Sequence, residues 1–199
     1  MTTPRPPEIP YSVTPRPDTG FTNAQLGMGL FLVADLMLFG GLLSSYVLLR
    51  VNAGVWPPDQ HHPVAALGAL KTGLLFLIVA ATNAARHGKS SPPRPLFFWL
   101  TALAALAFLA TTGAEYAKAL SQGMAPGVNT YIGMFYALTA VHALHVLAGL
   151  VATLSIPILA VPLGKTDPLR LASRRSVTAM YWYFLTAVWF VIFAVLYLA

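Results

Sequence analysis

Five long stretches of the chain carry mostly apolar side chains, and shorter segments rich in proline, glycine and basic residues separate them. The stretches fall near residues 24 to 49, 64 to 85, 95 to 118, 130 to 161 and 176 to 199. Each is long enough to cross a bilayer core as a helix, which takes about 20 predominantly apolar residues. A soluble amphipathic helix would keep one polar stripe, but segments such as LFFWLTALAALAFLATTGA (96 to 114) are apolar on every face. The pattern therefore predicts an all-α, polytopic membrane protein, with a bundle of five transmembrane helices over 23–199 and a tail over 1–22.

Composition sharpens that picture. With 57% hydrophobic and 9% charged residues in 199, the chain has more apolar surface than one globule of its size can hide. The opening segment MTTPRPPEIPYSVTPRPDTG is proline-rich and holds no apolar run. It reads as a cytosolic tail rather than a cleavable signal, which leaves the first helix to serve as the insertion signal. Arg5 and Arg16 of the tail, Arg86, Lys89 and Arg94 of the second connection, and Lys165, Arg170, Arg174 and Arg175 of the fourth would share one side of the membrane. The opposite connections hold mainly Arg50 and Lys118. Basic residues stay inside, so the amino terminus is expected inside and the carboxyl terminus outside. The net charge of +6 is then explained by anionic lipid headgroups and topology. No element supports nucleic-acid binding.

The candidate chemistry lies in a few polar residues within the spans. There is no cysteine, which removes iron–sulfur ligation, covalent haem attachment and thiolate chemistry. Of five histidines, only His142 and His145 sit inside a span, three apart in TAVHALHV. Both come from one helix with no facing histidine, so a haem held by this chain alone is not expected. A metal site would need carboxylates opposite them, and only Asp35 and Glu115 are placed to serve. Asp35 begins about eleven residues into the first helix, which is roughly 17 Å into a core about 30 Å thick. The two histidines reach a similar depth, so a contact with Asp35 across neighbouring helices is open.

A carboxylate at mid-membrane must be protonated, paired or wetted, which marks a functional candidate. The competing reading is a protonated Asp35 that hydrogen-bonds a neighbouring helix. For the histidines, packing and interhelical hydrogen bonding are favoured over ligation. Tyr131, His142, His145 and Gly149 form one stripe that should face protein. In the first helix, Ala24, Gly27, Ala34, Gly41 and Ser45 form a narrow arc of small residues, a kind of surface that permits close helix approach. Asp35 lies roughly a quarter turn or more from it. Glu115 reads as half of a surface pair with Lys118, Lys71 as a snorkelling lysine near the interface, and His61 and His62 as loop residues.

Several segments, in order, carry a resemblance: FTNAQLGMGLFLVADLMLFGGLLSSYVLLR (21 to 50), WPP (56 to 58), ALKTGLLFLIVAATNAARHG (69 to 88), GAEYAKAL (113 to 120), YIGMFYALTAVHALHVLAGL (131 to 150) and YWYFLTAVWFVIFAVLYL (181 to 198). Together they resemble subunit III of the haem–copper oxidases in its five-helix form. The resemblance implies an accessory subunit of a respiratory terminal oxidase with no haem or metal of its own. Haem and copper would sit in partner chains, above all the catalytic subunit I. It also implies bound phospholipid, support of proton uptake, protection of the catalytic subunit during turnover, and a place in the bacterial inner membrane. By this likeness Asp35 matches an intramembrane acid that is usually glutamate, Glu115 matches the acid of an EY pair, and His142 and His145 match a histidine pair. Lys71, Thr112, Tyr183 and Thr186 stand where the family usually has asparagine, glutamine, histidine and aspartate, which marks a divergent branch. Two other functions remain open on the sequence: an accessory subunit of a nitric oxide reductase or other respiratory complex, and an independent proton or solute carrier. A carrier would be expected to show repeats or broken midplane helices, and no convincing repeat is present.

Overall fold

A computed structural model describes residues 15–16, 20–56, 64–87, 95–166 and 168–198. All the described secondary structure is helical: α1 (Asn23–Asn52), α2 (Ala65–His87), α3 (Pro95–Ser121), α4 (Thr130–Thr166) and α5 (Pro168–Phe193), which runs on into a π-helical turn (Ala194–Leu198). Five of these helical segments are long and apolar enough to span a bilayer. Most of the proline-rich tail, together with His61 and His62, lies outside the described residues.

Local sequence sets the helix ends. Thr22 caps α1, its hydroxyl accepting from Gln25 N–H at 3.2 Å while the Gln25 side chain accepts from Thr22 N–H at 2.9 Å. Asn129 begins α4 by accepting from Ile132 N–H at 2.8 Å. Gly123, with φ +78°, supplies the left-handed turn after α3.

α5 is the central element. It packs against α1, α2 and α4, while α3 closes the other side against α2 and α4. Two glycines permit the tightest contacts. A Cβ at Gly149 would lie 2.9 Å from the Trp182 ring, and one at Gly68 would lie 2.6 Å from Phe193 and 2.8 Å from Tyr197. Trp182 and Trp189 are fully buried, and their indole N–H groups donate to Thr153 and Thr72, each at 2.9 Å. At the far end, Tyr46 and Tyr131 donate to the carbonyls of Val195 and Leu196 at 3.0 and 3.3 Å, satisfying oxygens that a helix terminus leaves open.

Two expectations change. The fifth helix begins at Pro168 rather than near 176, so Arg170, Arg174 and Arg175 ride on its first turns instead of lying in a loop. Proline at the first helical position is pre-set for that start. The small-residue arc of α1 does not make close contacts within the chain: Ala24, Gly27, Ala34, Gly41 and Ser45 are all exposed, and the space around Gly27 and Gly41 is open. Asp35, Phe39 and Tyr46 form the buried face of that helix instead.

Candidate functional site

The predicted stripe on α4 faces protein: Tyr131, His142 and Gly149 are buried and His145 is partly so. Its polar members meet Asp35. His145 Nε2 lies 3.5 Å from Asp35 Oδ1, and His145 Nδ1 lies 2.7 Å from the Val141 carbonyl of its own helix. A carbonyl only accepts, so Nδ1 carries a proton and Nε2 is the nitrogen turned to the carboxyl group. Asp35 Oδ2 is buried and has no hydrogen-bond partner among the described residues. Tyr181 closes the site by donating to the His145 carbonyl at 3.0 Å.

His142 packs as expected but makes no hydrogen bond among the described residues. It is completely buried, and neither ring nitrogen has a hydrogen-bond partner among the described residues. Its neighbours are rings, with Trp189, Phe108 and Phe39 at centroid distances of 5.2, 5.5 and 6.2 Å. Phe39 also stacks on His145 at 5.1 Å, so one phenylalanine separates the two histidines from a common polar contact. His142 is a packing residue in an aromatic cage. No group of three histidine, aspartate or glutamate side chains converges among the described residues, and the ring-lined surroundings of His142 do not fit haem or metal ligation.

The other acid is corrected outright. Glu115 pairs with Lys71, not Lys118. Lys118 is exposed, whereas Lys71 is fully buried and does not snorkel. Tyr197 completes the group: its hydroxyl lies 3.0 Å from both Glu115 oxygens and 3.1 Å from Lys71 Nζ. The ammonium also faces the rings of Trp189 at 5.3 Å, Tyr197 at 5.5 Å and Phe108 at 5.9 Å. Gly68, one turn before Lys71, makes room for Tyr197. That spacing is the signal in the sequence that could have pointed Lys71 inward. Tyr183, standing where the resemblance puts histidine, donates to Asn83 and joins α5 to α2.

Five apolar helices carrying two buried acid–base pairs, one between α1 and α4 and one joining α2, α3 and the end of α5, define a multi-pass helical membrane protein whose polar groups pair inside the bundle. The chain is 30% identical over 177 residues to a probable cytochrome c oxidase subunit 3 of Nocardia farcinica, covering 86% of each chain. It is 30% identical over 179 residues to the probable cytochrome c oxidase subunit 3 of Mycobacterium leprae, again 86% of each. With the cytochrome c oxidase subunit 3 of Thermostichus vulcanus it shares 27% over 182 residues, covering 87% of this chain and 86% of that one. The chain belongs to the cytochrome c oxidase subunit 3 family. No protein-family model matches it.

Proposed function

We propose that this chain, an accessory subunit of a respiratory haem–copper oxidase, packs beside catalytic subunit I, stabilises it during turnover and supports its proton uptake. Haem and copper belong to the partner subunits, and this chain carries no redox centre. The names of its relatives support cytochrome c as the electron donor of the complex. The five-helix unit over 23–199 sits in a bacterial inner membrane with the tail of 1–22 inside and the carboxyl end outside, in contact with phospholipid. The distribution of arginine and lysine supports that orientation, and the bacterial origin of the relatives supports that membrane.

The observation that carries the proton role is the Asp35–His145 pair. It is a mid-membrane carboxyl group facing a ring nitrogen, with one carboxyl oxygen unbonded among the described residues, an arrangement in which a proton could pass between the two partners. His142 serves as a packing residue beside it, and Glu115 as the ion-pair partner of Lys71 in a separate group. The test is purification in mild detergent through a tag on this chain, followed by an absorption spectrum and mass spectrometry of every retained chain. Haem bands with a large multi-helix partner are expected. A colourless, self-associated protein would overturn the assignment.

A further inference from the structure

Phenol and indole rings at the end of the bundle where α5 finishes form one connected group. Trp56 packs edge-on against Tyr46 at 5.3 Å and against Tyr131 at 5.4 Å. Tyr131 donates to the carbonyl of Leu196, the residue next to Tyr197, at 3.3 Å. The Tyr197 ring lies 6.0 Å from Trp189, and Trp189 reaches the depth of His142 at 5.2 Å. From the rim inward the order is Trp56, Tyr131, Tyr197 and Trp189, and of these only Trp56 is more than slightly exposed.

An interfacial aromatic belt does not account for this arrangement. Belt residues turn their polar tips to the headgroup region, whereas these tips turn inward. Trp189 N–H donates to the Thr72 hydroxyl and Trp56 N–H to the Tyr46 hydroxyl, each at 2.9 Å. The Tyr197 hydroxyl lies 3.0 Å from both Glu115 oxygens. Phenylalanine would fill the same space without needing any of these partners. What phenol and indole add is an electron that is readily removed, and rings this close can hand it on. What Glu115 adds is a base at hydrogen-bond distance for the proton that a phenol sheds when it loses an electron.

We propose that these rings are a relay for oxidising equivalents with Tyr197 as its resting point, which rests on the reading of the chain as a subunit that protects an oxidase during turnover. The oxidant is an oxygen-derived one-electron oxidant formed in the complex, and it takes one electron from the Trp189 indole. Tyr197 replaces that electron and passes its phenolic proton to Glu115. The products are a restored indole, a neutral tyrosyl radical and a neutral carboxylic acid. The positive charge that remains is the Lys71 ammonium, which already faces three rings. A one-electron reductant at the rim returns an electron through Trp56 and Tyr131, and Glu115 returns the proton, so phenol and carboxylate are both recovered.

The test uses the complex purified through the full-length chain, oxidised by a light flash with tris(bipyridine)ruthenium as photo-oxidant and persulfate as electron sink, then frozen for high-field electron paramagnetic resonance. Wild type should give a tyrosyl signal whose g-tensor reports hydrogen bonds to charged partners, as Lys71 and Glu115 supply. Tyr197→Phe should lose that signal, and Tyr183→Phe, which removes a hydroxyl bonded to Asn83 outside the relay, should keep it. In wild type the radical should form more slowly in deuterated water, because the phenolic proton moves with the electron, and this readout needs no variant to fold. Absence of the signal in wild type, its persistence in Tyr197→Phe, its loss in Tyr183→Phe or equal rates in the two solvents would overturn the proposal. Haem content and retained chains, read on the same samples, separate failure of the relay from failure of the oxidase assignment.

Discussion

The bundle buries two acid–base pairs, and they are finished to different degrees. Around Glu115 and Lys71, both carboxylate oxygens meet the Tyr197 hydroxyl, the ammonium has two oxygen partners, and three aromatic rings surround it. Around Asp35 and His145 the contact is 3.5 Å long, and among the described residues one carboxyl oxygen is unbonded and nearby His142 has two unbonded nitrogens. A saturated pair fixes one geometry. An unsaturated pair leaves room for a proton or a water to move. The comparison teaches that buried charge in this chain divides into a clamp at one end and a candidate proton site at mid-depth.

Breaking the clamp should give the largest effect. Lys71→Met or Glu115→Gln alone leaves a buried group without its partner and should cost about 3–5 kcal/mol, read as a fall in the thermal unfolding midpoint. The double variant Lys71→Met with Glu115→Leu should recover most of that loss. Single variants without effect would erase the distinction between the two pairs. Next, His142→Ala should cost about 2–4 kcal/mol through the cavity it opens, while His142→Phe should be neutral or stabilising because the ring's nitrogens have no partner to lose. A large loss with phenylalanine would reveal a polar role for His142.

A smaller effect on stability, about 1 kcal/mol, is expected for Asp35→Asn, with assembly retained but the number of turnovers before inactivation reduced. An unchanged turnover lifetime in a fully assembled oxidase would reduce Asp35 to interhelical glue. Least of all, Lys118→Ala should change stability by less than about 0.5 kcal/mol. A larger change would restore the surface pair with Glu115 that the sequence suggested.

The hydrophobic pattern was enough to place all five helices, because a bilayer demands length and apolarity that are visible residue by residue. The inward face of α4 was legible from the 100° spacing of Tyr131, His142, His145 and Gly149, and depth alone brought Asp35 level with the histidines. Partner choice was not legible. Glu115 and Lys118 are sequence neighbours, but helix α3 turns Glu115 toward α2, where Lys71 lies buried against Glu115 and Tyr197. The start of α5 was hidden for a related reason: its first two turns are basic and polar, so hydropathy hides a helix that Pro168 begins.

The closing π-helical turn also bears on the order of assembly. Synthesis runs from α1 to α5, so Val195, Leu196 and Tyr197 emerge after the partners waiting for them on α1, α2, α3 and α4. Until they arrive, Tyr46 and Tyr131 have no carbonyls to cap and the Lys71–Glu115 pair lacks its hydroxyl. Val195, Leu196 and Tyr197 thus act as a latch: before they dock, the bundle is open at that end and its buried charge pair is half-satisfied.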